Sequence, residues 1–483
     1  MKDHRADARH VGLWEGPEFD SQPDEPAPPG YRVPPAPQSA WTAEPSRRRA
    51  RVSRSILLCI LVVQAVLSLR LHNTAFEDEA LYLYAGHLQL DRLLYGAPAP
   101  TQFTAYFSGS PVLYPPLGAA ADSLFGLAGA RALGLVFMLG ATALLYSLSR
   151  LLFNERVALC AAAAFAVTQS TLFLGNFATY DPPAIFLLAL AAWVVVRCAP
   201  NRAVTACLLA APVLALAVAV KYAALMYLPT VVVLAVLAAF PYGRARALGR
   251  GVLLTLLTAA AIAGAMKLAG PGYLDGVRTS TTGRAIGATD PMDLLGDCLE
   301  WGGPLLALAL LGSALYVRHA RLGEAPGMTD AHDPGRLWRL TFGLLLCGTA
   351  LLAPAYQMYL HTGVSLHKHI GYGLFFAAPM AGVGITRLVG AHFRHPQLGI
   401  LVWVTLLVLG LTQSENLYHA WPDSTQVVAT LESQLKPNGR YLVEANSVAR
   451  YYLRDKTRPE QWTSTYTITY TDRKGRKRSG ESG

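Results

Sequence analysis

Arg47-Arg48-Arg49-Ala50-Arg51-Val52-Ser53-Arg54, the apolar run from Ile56 to Leu71, and then Phe76-Glu77-Asp78-Glu79-Ala80-Leu81-Tyr82-Leu83-Tyr84 set the terms for the whole chain. The run approaches the length needed to cross the ~30 Å hydrocarbon layer of a bilayer. Arginines at one end of a first span hold that end in the cytoplasm. The three carboxylates that follow are then expected on the outer side.

Working outward, the same pattern recurs. The 483 residues are 53% hydrophobic and 15% charged, against about 25% charged in ordinary soluble domains. Further apolar runs lie near Leu127–Leu148, Val157–Leu174, Ala184–Val196, Ala203–Val220, Tyr222–Phe240, Gly251–Ala269, Gly302–Val317, Leu340–Met358, Gly371–Ile385 and Leu398–Leu411. With the first run these predict an all-α polytopic membrane protein of about eleven transmembrane helices. The tight junction between Val220 and Tyr222 leaves open a merged or re-entrant pair there.

Threading the runs from a cytoplasmic start checks the topology. Arg244, Arg246 and Arg250 fall inside, as do Arg318, Arg321, Arg336, Arg339, Arg387 and Arg394. The outer loop from His72 to about Pro111 carries Arg92 as its only Lys or Arg. The net charge of +10 is thus a record of orientation in short loops rather than a nucleic-acid surface. Cys59, Cys160, Cys198, Cys207, Cys298 and Cys347 form no CxxC pair and read as small hydrophobes.

The flanks differ from the core. Residues 1–46 are polar and rich in proline, as in Pro26-Ala27-Pro28-Pro29, and read as a disordered cytoplasmic tail. Residues 47–415 read as the transmembrane domain, and 416–483 as a small α/β exocytoplasmic appendage. In that appendage Val427–Leu435 reads as an amphipathic helix, Tyr441–Glu444 as a strand and Ser464–Tyr470 as another. Its basic end, Arg473 to Arg478, reads as frayed. There is no P-loop, GxGxxG or HExxH.

Several polar groups fall on the expected outer face. Asp78 and Glu79 head a segment whose apolar and aromatic residues, including Tyr82, recur at helical spacing, so the helix is expected to lie on the protein. Charge runs usually face water; a carboxylate held at the membrane surface can also act as a general base. Tyr180-Asp181-Pro182-Pro183 joins two runs, and Asp before Pro reads equally as a helix cap or as a second acid. Lys221 interrupts two apolar runs, and a lysine at that depth costs about 2.5–3.5 kcal/mol at mid-membrane. Thr281-Thr282-Gly283-Arg284 and His367-Lys368-His369 add cations on the same face. Each is an interface anchor when taken alone, and together they suit a phosphate at the bilayer edge. Tyr114-Pro115-Pro116-Leu117 reads as a helix start.

These motifs in this order, over roughly Arg54 to Trp462, resemble the GT-C superfamily of membrane glycosyltransferases. More narrowly they resemble glycosyltransferase family 39, the protein O-mannosyltransferases and aminoarabinose transferases. The resemblance implies inverting transfer of a sugar, a hexose such as mannose, from a polyprenyl-phosphate donor to an exocytoplasmic acceptor. It gives Asp78 the role of base, with Glu79 and Asp181 as neighbouring acids. Lys221, Arg284, His367 and Lys368 would hold the donor phosphate, and Tyr82, Tyr180 and His369 would line the substrate pocket. A divalent metal on Asp78, Glu79 and Asp181 is the one cofactor it leaves open. The lumenal insert of eukaryotic protein mannosyltransferases is absent, so the acceptor stays open among protein, lipid and polysaccharide. A transporter or lipid flippase is the competing expectation, but its ionisable residues would sit near mid-span in matched halves.

Overall fold

The computed structural model describes residues 47–97, 103, 107–200, 203–284, 286–318, 334–465, 468–471 and 477–479. The proline-rich 1–46 segment and most of the basic end near Arg473 lie outside the described residues.

The helices are α1 (Arg47–Leu69), α2 (Glu77–Tyr95), α3 (Tyr114–Leu152), α4 (Glu155–Ala166), α5 (Gln169–Leu174), α6 (Asp181–Arg197), α7 (Ala203–Val220), α8 (Leu228–Ala239) and α9 (Arg244–Ala269). They continue with α10 (Pro271–Ser280), α11 (Pro291–Arg318), α12 (Arg336–Thr349), α13 (Leu352–Tyr359), α14 (Leu366–Val389), α15 (Pro396–His419), α16 (Thr425–Ser433) and α17 (Ser447–Tyr452). Among the described residues, seven helices are long and apolar enough to cross a bilayer, or eight if α12 and α13, bent by 47°, form one broken span.

The shortfall from eleven has local causes. The run Val157–Leu174 is cut at Val167, where Thr168 leaves the helix with extended ψ and α5 restarts. The run Leu340–Met358 is cut between α12 and α13. The run Ala203–Val220 falls short by length, whereas the run after it is counted, as Tyr222–Tyr242, although it starts as a 3₁₀ turn, Tyr222–Tyr227, next to an extended Lys221 at φ −144°, ψ 117°. The suspected junction is therefore a helix break centred on the lysine.

The bundle carries apolar side chains on its outer surface as well as in its core, as expected where lipid is the solvent. Leu58, Val62 and Val66 of α1 are exposed, while Gln64 and Ser68 on its other face are buried. Helix α14 runs through the middle, with 89% of its apolar window buried. Its glycines let neighbours come close: a Cβ on Gly384 would sit 2.4 Å from the Leu308 carbonyl of α11.

The C-terminal segment rests on the bundle. Its strands β1 (Tyr441–Val443) and β2 (Trp462–Ser464) pair in parallel, and β3 (Thr469–Thr471) and β4 (Lys477–Ser479) pair antiparallel. The stretch Ser464–Tyr470 is thus split between β2 and β3 rather than forming one strand. A small core of Ala449, Leu453 and Trp462 holds α16 and α17 against β1.

Candidate active site

One end of the bundle gathers the acids and lysines. Helix α2 starts after Phe76, whose backbone N–H donates to Glu79 Oε2 at 3.0 Å. That capping contact places Glu77, Asp78 and Glu79 in one turn, yet the three diverge in environment. Glu77 faces solvent, Asp78 faces the site and Glu79 points inward.

Asp78 is 30% exposed, and its Oδ2 accepts from Lys368 Nζ at 2.6 Å. Burial by itself would raise this carboxyl, but the Lys368 charge and hydrogen bond, with Lys221 behind it, hold it below its ordinary value. Asp78 is therefore ionised at neutral pH. Glu79 and Asp181 are fully buried. Glu79 is paired with Arg131 by two hydrogen bonds of 2.9 and 2.7 Å and also accepts the Ala178 amide at 2.9 Å. All of its acceptor capacity faces protein donors, which makes it a brace between α2, α3 and the turn before α6.

Asp181 does not cap its helix through the next residues, since Pro182 and Pro183 have no N–H to offer. It accepts instead from the Tyr372 hydroxyl at 3.1 Å and the Thr179 hydroxyl at 3.2 Å, with Lys221 Nζ 3.5 Å away. His369 Nε2 lies 3.9 Å from Asp181, and Gln357 approaches its Nδ1 at 3.3 Å. Lys221, 3% exposed, also donates to Ser108 Oγ at 2.9 Å. Burying a lysine so deeply is tolerable because Asp181 offsets the charge.

The aromatic residues form a wall beside these pairs. Tyr82 meets Tyr180 edge-on with ring centroids 4.6 Å apart, and Tyr180 lies 5.4 Å from Tyr114. The Tyr82 hydroxyl is 3.4 Å from Ser108. The hydroxyls of Tyr114 and Tyr180 are buried with no hydrogen-bond partner among the described residues. His367 stands apart: it packs edge-on at 4.9 Å against Phe173 and at 6.2 Å against Trp301, off the α14 face that carries Lys368. Arg284 is half-buried on the loop after α10.

A mostly apolar cavity of about 1200 Å³, lined in part by Ser110 and Tyr222, opens close in the chain to Ser108 and Lys221. Its apolar lining comes largely from α7, α9, α10 and the turn after Lys221, and includes Leu216, Tyr222, Met266 and Tyr273; Arg92 and Arg278 line it too.

The three carboxylates do not fit a divalent metal. Each already faces a cation or a set of donors of the protein, and no group of three His, Cys, Asp or Glu among the described residues could hold an ion. Hard divalent ions take several oxygen ligands at once, and Glu79 has none to spare.

Sequence reasoning missed Ser108, Tyr372, Gln357 and Arg131. Arg131 was signalled as a charge inside an apolar run. Tyr372 lies one helical turn beyond Lys368, on the same face. Ser108 carried no signal.

Residues 119–266 match the family model described as dolichyl-phosphate-mannose-protein mannosyltransferase. That stretch holds Asp181 and Lys221. No curated protein matches the chain by sequence. Among solved structures, ArnT from Cupriavidus metallidurans bound to undecaprenyl phosphate is similar at 15% identity, covering 84% of this chain and 85% of that one, with a TM-score of 0.57. An oligosaccharyltransferase from Archaeoglobus fulgidus is similar at 12% identity over 82% of this chain and 63% of that one, with a TM-score of 0.48. The chain has the GT-C fold, as its motifs led one to expect.

Proposed function

We propose that this chain is an integral-membrane glycosyltransferase that moves a sugar from a polyprenyl-phosphate donor to an acceptor presented at the outer face. The observation that carries the reading is Asp78. It alone of the three candidate acids reaches solvent, and it stands on a buried lysine. The match to a family described by a dolichyl-phosphate sugar, and the likeness to a structure binding undecaprenyl phosphate, support the donor class.

The chemistry follows from the charges. The donor's tail lies in the apolar cavity and its phosphate reaches the Lys221 and Lys368 ammonium groups, with Arg284 in support. The acceptor arrives from water against Asp78. Asp78 takes the acceptor's proton as the acceptor oxygen bonds to the anomeric carbon. The bond from that carbon to the phosphate oxygen breaks, and the phosphate leaves with the electron pair. Cations fixed where that charge develops lower the barrier. Attack opposite the leaving group inverts the anomeric centre.

Lys368 has a double part. While paired with Asp78 it keeps the carboxylate a weak base. A donor phosphate competes for the same ammonium group, and as it draws the lysine away the basicity of Asp78 rises. Glu79 and Asp181 act as positioning groups, the first for α2 and the second for Lys221 and His369. His367 serves the aromatic packing around Phe173. The cation or acid roles that the family resemblance gives these three therefore pass mainly to Asp78, Lys221 and Lys368.

The test is transfer of radiolabelled sugar by membranes carrying wild type or Asp78→Asn, over a panel of polyprenyl-phosphate sugars. General-base catalysis contributes about 10²–10⁴ in rate, so the variant should lose at least a hundredfold. Equal transfer by both removes Asp78 from the reaction.

A further inference from the structure

A second buried polar knot lies away from the reacting groups. Asp122 of α3 is 3% exposed. His87 Nε2 of α2 stands 2.6 Å from its Oδ2, the Tyr451 hydroxyl of α17 donates to its Oδ1 at 2.6 Å, and Arg454 Nη2 lies 3.4 Å away. Three parts of the chain meet on one carboxylate, and one of them is the C-terminal segment.

The knot is placed to control α2. Helices α2 and α3 run antiparallel and are tied twice, at Glu79–Arg131 and at His87–Asp122. Between the two ties α3 breaks at Gly126, which has φ 66° and ψ −164°. The short first part of α3, which carries Tyr114 and Asp122, is therefore not held straight by its own helix. It abuts α2 tightly: a Cβ on Gly86 would come 2.0 Å from the Pro115 carbonyl. The C-terminal segment fastens the same region from outside. The Arg450 guanidinium lies 4.5 Å from the Tyr84 ring centroid, and the Ala75 amide donates to the Tyr452 hydroxyl at 2.8 Å. The Trp421 indole donates to the Thr74 carbonyl at 3.1 Å, and the Ser424 amide donates to the Thr74 hydroxyl at 3.0 Å.

We infer that the C-terminal segment positions Asp78: it clamps α2 and the hinged start of α3 through the Asp122 knot. Asp122, His87 and Tyr451 are positioning residues. Asp78 lies nine residues before His87, about 14 Å along the helix axis, so none of the three touches the reacting atoms. With its His87 end released, α2 can roll about its own axis, which swings Asp78 relative to Lys368, and small misplacements of a reacting group cost rate steeply.

The clamp can be tested apart from the proposed reaction, on which only its activity arm rests. Full-length protein in detergent is compared as wild type, Asp122→Asn and Tyr451→Phe. Tyr451→Phe removes one hydroxyl from a segment outside the bundle and guards against a failure to fold. Amide exchange should rise by about tenfold or more across residues 77–87 and stay unchanged in α11 and α14. In the transfer assay kcat should fall on the order of tenfold to a hundredfold while the donor KM stays within about twofold. Unchanged exchange in residues 77–87 overturns the clamp. Raised exchange with unchanged kcat also overturns it, because Asp78 would then not depend on the knot. Raised exchange in a protein whose wild type transfers no sugar supports the clamp and sinks the transferase reading alone.

Discussion

At the scale of single residues, the pairing of each carboxylate decides what it can do. Asp78 is ionised because Lys368 is 2.6 Å away, not because it is exposed. Its folded value is depressed, so the carboxylate form persists through neutral pH and is lost only as pH falls through that low value. The rate of transfer should therefore hold steady from neutral into mildly acidic buffer. In Lys368→Gln the main counter-charge is gone and burial dominates, so the acid limb of the pH–rate profile should move to higher pH. A limb that stays in place would show that Lys368 does not set the basicity of Asp78. The sequence put Asp78, Asp181, Lys221 and Lys368 on one side of the membrane. It did not say which acid meets which lysine, nor that Glu79 turns its back on the site toward Arg131.

At the scale of elements, small residues decide how closely helices meet. Helices α11 and α14 cross at Gly312 and Gly384, and a Cβ on Gly312 would fall 1.9 Å from the Met380 carbonyl. Backbone cannot yield by that much, so Gly312→Ala should destabilise by about 1–3 kcal/mol through overpacking. Gly296 sits on the same helix with nothing within 4 Å. There alanine should be neutral or slightly stabilising, since glycine costs a helix interior about 1 kcal/mol. Thermal unfolding of the purified protein in detergent checks the contrast; equal midpoints for the two variants would contradict the close crossing. Apolar periodicity marked α11 and α14 in the sequence. Lys221 marked its own break as a charge between two apolar runs, but the break at Val167 escaped, because that residue lies within a long apolar stretch where hydropathy reports depth and not backbone direction.

At the scale of the molecule, charge is distributed by end. The acids and lysines of the site converge at one end, while Arg156 donates to the Gly390 carbonyl at the other. The segment after α15 is tied to the Asp78 end by Trp421 and Ser424. We expect that end to face outward. In a cysteine-replaced background, Glu77→Cys and Arg440→Cys should be labelled by an impermeant maleimide on intact cells, and Arg246→Cys only after permeabilisation. Labelling of Glu77→Cys and Arg246→Cys from the same side would undo the proposed topology.

The sequence by itself determined that this is a helical membrane protein and which polar groups stand at which ends of its spans. Both follow from a local constraint: a segment must be apolar over a fixed length to cross hydrocarbon, and whatever interrupts it falls at the edge. Only the tertiary structure decided the partners of the charges, which of Asp78, Glu79 and Asp181 stays open to solvent, and the hold of the C-terminal segment on α2. Lys368 and Asp78 are 290 positions apart. Whether they touch depends on how each helix is rotated about its axis, and that is settled by packing against neighbours rather than by any pattern along the chain.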